Sequence, residues 1–387
     1  MWRGVSLRQL AFLLLGPMIV ETIWSMLIFW MGLQTIALGY EPRVQNIIIL
    51  LPSLGYACSA LLAGRWVTPR HATMLMVFML STAAVLGLSV VHFRSFALFV
   101  VLGPVMGLCI GHYYVPFQIR MGHVQPFRTL AWTVAFYNIA WGTGAAVGPY
   151  LAGLLQYHSV WLTTGAVLAL AGIHAMLLLF AGTAPRPADE HHPVAAFAST
   201  SQQRRLGWVA FAACGLTMHA TCFTLVPDFA KHRRWSADQT GLLVFLAVAT
   251  LPLGALLWAR LRHRMMRPWL MVGSLVIGAT GMALMPLTTT WPGATACIVA
   301  LGVALSCTVF HAIYYANADP SPIHKARSIA TMEVLAGGSS VAGPVLLGML
   351  AWSDATGPTP WWVGGGLLLA AAGYVACQWR RERIPIF

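Results

Sequence analysis

Apolar runs of 18 or more residues recur along the whole chain, each closed by a short polar break. Twelve such runs are legible, at about 9–31, 46–64, 72–92, 96–118, 129–155, 160–182, 206–228, 240–259, 268–288, 293–316, 328–351 and 361–379. Each is long enough, at about 1.5 Å of helix per residue, to cross a hydrocarbon layer of about 30 Å. The pattern predicts an all-α integral membrane protein of 12 transmembrane helices. One polar stretch is long: TAPRPADEHHPVAAFASTSQQRR, residues 183–205, rich in Pro, Ala and Ser. It reads as a cytoplasmic linker between a six-helix bundle over 1–182 and a second over 206–387. His191 and His192 within it read as solvated linker residues rather than metal ligands.

The two bundles are expected to be pseudo-symmetric, because the chain repeats itself. SALLAGR at 59–65 returns as GALLWAR at 254–260, so Arg65 and Arg260 are 195 residues apart. Gly148-Pro149 and Gly343-Pro344 show the same offset of 195. RTLAWT from Arg128 and RSIATM from Arg327 are offset by 199, a slip of about one helical turn. Duplication in so apolar a chain is the mark of a transporter built from two parallel halves.

Composition narrows the reading further. Of 387 residues, 58% are hydrophobic and only 9% charged, against roughly 25% charged in soluble domains. The net charge of +13 could point to nucleic acid, but its distribution does not. With both termini inside, Arg43, Arg94, Lys231, Arg233 and Arg234 fall outside and the other 18 of the 23 Lys and Arg residues fall in cytoplasmic segments. This positive-inside bias orients the chain in an inner (plasma) membrane. No soluble basic patch interleaved with aromatics exists to hold nucleic acid. The seven cysteines all lie in spans without zinc spacing and read as small buried residues. Arg3 and Arg8 precede an apolar run too long for a signal-peptide core, so that run is taken as the first span.

The loops after the second and eighth spans read AGRWVTPRH (63–71) and ARLRHRMMR (259–267). With twelve helices, a central loop and basic motifs in these two places, the whole chain resembles the major facilitator superfamily. The family pattern has an Asp immediately before the Arg; here Gly64 and Ala259 stand in its place. The charge network that the family builds at these loops therefore cannot form in the same way around Arg65 and Arg260. The fifth span carries GTGAAVGPYLAG, residues 142–153, which resembles the family's helix-5 antiporter motif. Gly144, Gly148 and Gly153 let helices approach closely, and Pro149 removes a backbone donor. The resemblance associates this motif with proton-coupled exporters; tight packing alone is the plainer alternative, and AGGSSVAGPVLLG at 336–348 echoes it. Near Gly103 the family's helix-4 motif carries an Arg that this chain lacks, so another group must carry any coupled proton.

Ionisable groups at mid-membrane cost at least about 2.5–3.5 kcal/mol to insert, so each invites a functional explanation. Glu21 stands halfway along the first span among apolar neighbours. A carboxyl group withdrawn from water favours its neutral form and can hold and release a proton. Trp24 is placed on the same helix face, three residues on. His112, His219 and His311 lie mid-span on the fourth, seventh and tenth helices, which the resemblance places around a central cavity. His112 with Tyr113 and Tyr114, and His311 with Tyr314 and Tyr315, echo each other at an offset of 199. Imidazoles could relay protons, and the tyrosines with Trp24 would suit an amphipathic or cationic substrate. The alternative for each is a satisfied packing role. Glu333 is expected to pair with Arg327 or Lys325 at the cytoplasmic mouth, and Arg120 to snorkel to that surface. No metal site, nucleotide-binding loop or catalytic constellation is present, so neither a cofactor nor enzymatic activity is expected.

The expectation is a monomeric secondary transporter, its two halves rocking about a central site to export a small organic molecule in exchange for protons, with sodium as the other candidate coupling ion. An uptake symporter for a sugar, amino acid or carboxylate is the first alternative. A transporter-like membrane sensor or assembly partner is the second.

Overall fold

The computed structural model describes residues 7–40, 42–67, 71–93, 95–124, 129–180, 199–261, 268–319, 321–353 and 357–381. His191, His192, Arg128 and most of the expected linker lie outside these residues. The described part is helical, with no strand. The helices are α1 (Leu7–Ala37), α2 (Pro42–Trp66), α3 (Ala72–Phe93), α4 (Phe96–Val124), α5 (Leu130–His158), α6 (Val160–Phe180), α7 (Ser201–Ala220), α8 (Val226–His232), α9 (Ala237–Arg260), α10 (Trp269–Leu284), α11 (Trp291–Asn317), α12 (Pro322–Ser353) and α13 (Thr359–Arg381).

Helices α7 and α8 form one rod, joined by a π turn over Thr221–Leu225 in which the Val226 N–H reaches back five residues to the Thr221 carbonyl. Twelve rods thus match the twelve apolar runs. Among the described residues nine helices are long and apolar enough to cross a membrane. The remaining rods are α2, α5 and α7–α8. Rods overrun the apolar runs at several ends. At α7 the sequence supplies its own cap: Thr200 Oγ1 accepts from the Gln203 N–H at 3.1 Å, and the Gln203 side chain accepts from the Thr200 N–H at 3.0 Å. Residues 201–205, expected as linker, are therefore the first helical turn. After α1, Gly39 takes φ +75°, and the Tyr40 N–H bonds the Thr35 carbonyl at 3.2 Å, a glycine-terminated helix end.

Two compact units are present. The first comprises Met1–Ser199 with Ala316–Gly338, and the second Thr200–Tyr315 with Ser339–Phe387. Within each, bulky apolar side chains such as Met74, Phe78 and Trp161 in the first and Leu253 and Leu287 in the second are exposed, as lipid-facing residues are.

Inside each unit, small residues set helix spacing, and here the duplication is physical. A Cβ on Gly107 would stand 1.8 Å from the Pro52 carbonyl oxygen, and one on Gly302 would stand 2.7 Å from that of Ala247. Both members of the second pair are 195 residues beyond the first. One turn on, the partners trade places: Gly111 faces Ser59 at 2.3 Å, while Gly254 faces Ser306 at 2.2 Å. In α5, a Cβ on Gly148 would lie 2.6 Å from the Thr22 carbonyl oxygen; in α12, one on Gly343 would lie 2.1 Å from that of Leu216. Thr22 and Thr217, again 195 apart, each bond the carbonyl four residues back, at 2.7 and 2.8 Å. Without a hydrophobic drive between helices in lipid, such close approach is what holds bundles together.

Candidate functional site

Glu21 is buried in α1 at 7% exposure. Gly144 of α5 makes room for it, since a Cβ there would fall 2.9 Å from the Glu21 Cβ and 2.4 Å from the Met18 carbonyl oxygen. From α4, the Tyr114 hydroxyl donates to Glu21 Oε2 at 2.6 Å. The indole that faces the same carboxyl group is Trp141 of α5, not Trp24. Trp24 is half-buried on its own helix. Helical spacing placed Trp24 on the right side of α1, but the partner comes across the α1–α5 seam.

Glu333 departs from expectation. It is 4% exposed and pairs with neither Arg327 nor Lys325. Arg327 is exposed, six residues away and on another face of α12. Instead Glu333 Oε2 accepts from the Tyr56 hydroxyl of α2, and Oε1 accepts from the Gln118 amide of α4. The same amide group lies 3.3 Å from the Tyr137 hydroxyl of α5. The rings of Tyr56 and Tyr114 lie 6.1 Å apart, which brings the Glu333 and Glu21 clusters together within the first unit. Neither Tyr56, Tyr137 nor Trp141 was singled out in the sequence, and Gln118 was read only as the end of the fourth span.

Around Glu333 the α12 face is small and apolar. A Cβ on Gly64 would lie 2.2 Å from the Ala330 Cβ, and one on Gly337 2.9 Å from the Ala57 nitrogen. Ala60, Ala63, Val115, Ile119, Ala316 and Ile329 form a buried cluster on this seam. Gly64 is where the family's Asp is missing, and the structure supplies the reason: the position is used for helix contact. Arg65 next to it is exposed, as is Arg260.

The histidines share one arrangement. The Nδ1–H of His112, His219 and His311 each donates to the carbonyl four residues back, at 3.0, 2.7 and 2.7 Å. A carbonyl oxygen only accepts, so the proton sits on Nδ1. His112 also packs on Trp66, and His311 on Tyr315. The contact register of 195 matches His112 to Cys307, so His112 and His311 stand one turn apart rather than at equivalent places. Tyr314 stacks on Phe310, and Tyr315 packs beside Gly207 in the second unit.

Tyr113 turns away from Glu21 and pairs with His174 of α6, with 2.7 Å between the hydroxyl and Nε2. Arg120, expected at the surface, is 2% exposed. Its guanidinium lies 4.7 Å over the Phe12 ring and bonds the Thr73 hydroxyl. An aromatic face and a hydroxyl inside the bundle hold it there instead of the headgroups.

The repeat isolates what is special about this network. At an offset of 195, Glu21, Tyr56, Tyr114, Gln118, Tyr137 and Trp141 correspond to Leu216, Leu251, Val309, Ile313, Met332 and Ala336. One copy of the scaffold is apolar at six positions where the other is polar or aromatic. The close helix contacts are shared between copies; these six polar or aromatic side chains are not.

Duplicated membrane-spanning helices enclosing a buried polar network mark a polytopic membrane protein. The sequence pattern of the Major Facilitator Superfamily matches residues 13–237 and 207–385, and the chain belongs to that family. It is a major facilitator transporter. The crystal structure of the human organic anion transporter MFSD10 (TETRAN) is similar over 95% of this chain and 99% of that one, with a TM-score of 0.74 and 18% identity. At that identity the likeness shows the fold. No curated protein sequence matches the chain.

Proposed function

We propose that this transporter exports a small organic molecule in exchange for protons by alternating access, and that Glu21 is the group that binds the proton and the substrate in turn. The observation that carries the reading is the placement of Glu21: a buried carboxylate at mid-span, held by Tyr114, with no basic side chain as partner among the described residues. A carboxylate so placed needs either a proton or a cationic ligand to neutralise it. The uneven spread of Lys and Arg supports an inner-membrane location with both termini in the cytoplasm.

The same chemistry favours an organic cation or a neutral amphiphile over an anion. Two carboxylates and four aromatic side chains form the network, and Arg120 is engaged with Phe12 and Thr73. The human organic anion transporter of the same fold is too distant in sequence to carry its substrate class over.

The test is transport by purified protein in liposomes with an acid interior, using radiolabelled 1-methyl-4-phenylpyridinium as a cation probe and p-aminohippurate as an anion probe. Exchange predicts accumulation of the cation that ends when nigericin collapses the pH difference. Accumulation only with an alkaline interior favours an uptake symporter, and accumulation of the anion alone overturns the assignment of charge.

A further inference from the structure

We propose that Glu333 is a second proton-bearing group of the coupling machinery, joined to Glu21 through Tyr56 and Tyr114 so that the two carboxylates titrate as one unit. The proposal rests on the proton-coupling role of Glu21.

Glu333 lies far from Glu21 in sequence, yet both belong to the first unit. Each carboxyl group receives a tyrosine hydroxyl: Tyr56 on Glu333 and Tyr114 on Glu21. The two tyrosine rings face each other at 6.1 Å with a tilt of 59°. The second oxygen of Glu333 is occupied by Gln118. The groups that face Glu333 from the helices packed on it are therefore Tyr56 of α2, Gln118 of α4, Tyr137 of α5 and Glu21 of α1, and the two carboxylates lie within each other's electrostatic reach. On α12 itself, Arg327 is exposed and Lys325 lies two turns before Glu333, neither bonded to it. Across the described residues no cation answers either carboxylate.

Glu333 presents two acceptor oxygens to two donors, the Tyr56 hydroxyl and the Gln118 amide, whereas its counterpart in the repeat, 195 residues earlier, is the neutral amide Asn138, which is also buried. Retaining a charge-capable group among Ala326, Ala330 and Gly337 is costly unless the group is used in its two protonation states. Two such groups without a counter-ion oppose each other's ionisation, so their protons leave in separate, linked steps.

The test is an infrared pH titration of the protonated-carboxyl stretch of purified, monodisperse protein without substrate, over about pH 5–9. It compares wild type with Glu21→Gln, Glu333→Gln and Tyr56→Phe. The linked pair predicts two carboxyl protons in the wild type, lost in steps about one pH unit or more apart. Each Gln variant leaves one proton, and the remaining step moves because its neighbour's charge is gone. Tyr56→Phe keeps both carboxyls and carries the test should Glu333→Gln fail to fold; it moves the Glu21 step as well as that of Glu333. If Glu21 titrates identically in wild type, Glu333→Gln and Tyr56→Phe, the pair is overturned while the role of Glu21 stands. If no carboxyl signal lost in Glu21→Gln titrates at all, proton coupling at Glu21 is overturned with it.

Discussion

Tyr114 Oη lies 2.6 Å from Glu21 Oε2, across 93 residues of sequence, and joins α4 to α1 by a hydrogen bond buried at both ends. Such a bond stabilises the ionised carboxylate more than the neutral acid. Tyr114→Phe removes the donor and keeps the ring. Hydrogen bonds to charged groups are worth about 1.5–3 kcal/mol, so the pH midpoint of transport is expected to rise by about one to two units. Initial transport rates measured across a pH series check this, and an unmoved midpoint counts against a working Glu21–Tyr114 bond.

Close packing of α5 on α1 depends on Gly148, where a Cβ would meet Ser25 Oγ at 1.9 Å. Gly343 on α12 is its counterpart against α7. Gly148→Leu and Gly343→Leu are each expected to cost about 1–3 kcal/mol through overpacking. Gly172, with nothing within 4 Å of its Cβ position, is the control: Gly172→Leu leaves stability unchanged. Thermal unfolding in detergent distinguishes the three.

Restoring the family's acidic residue is expected to harm this protein. Gly64→Asp would drive a side chain into Ala330, only 2.2 Å from the new Cβ. Lower thermal stability and no gain in transport are the expected results, and Ala330→Gly in the same chain should recover part of the loss. A Gly64→Asp variant as stable as wild type would show that the α2–α12 seam is looser than described.

Arg327 and Gln118 separate the two descriptions of Glu333. If Glu333 is held by Tyr56 and Gln118, Arg327→Gln changes stability by less than about 0.5 kcal/mol, as exposed substitutions do. Gln118→Leu strips the donor from a buried acceptor and costs about 1–3 kcal/mol. The opposite ranking in unfolding measurements would return Glu333 to an ion pair with Arg327.

The fold was legible because lipid imposes a simple rule: long apolar runs must be helices, and a repeated sequence must give a repeated bundle. Glu21 was legible for the same reason, as a charge where lipid penalises one. What surrounds it was not. Glu333 meets Tyr56 and Gln118 across 277 and 215 residues, and helical periodicity relates only neighbours on one helix. That is why Trp24 was noticed and Trp141 missed, and why Arg327 or Lys325 was expected as the partner of Glu333. The loss of Asp beside Arg65 could be seen as an absence, but its cause lies in Ala330, on another helix. His174 gave no signal, because its partner Tyr113 is known only once α4 and α6 are packed. The duplication, once read in contacts rather than letters, set the shared scaffold apart from the polar network by showing Leu216 and Leu251 where Glu21 and Tyr56 stand.

The central claim is that the Glu21 carboxyl group couples proton movement to transport. Its most direct test is accumulation of 1-methyl-4-phenylpyridinium by proteoliposomes with an acid interior, comparing wild type with Glu21→Gln at equal, correctly folded protein. The substitution keeps shape and hydrogen bonding but cannot exchange a proton. Abolished accumulation in Glu21→Gln, against robust accumulation in wild type, is the predicted result. Accumulation by Glu21→Gln equal to that of wild type would contradict the account.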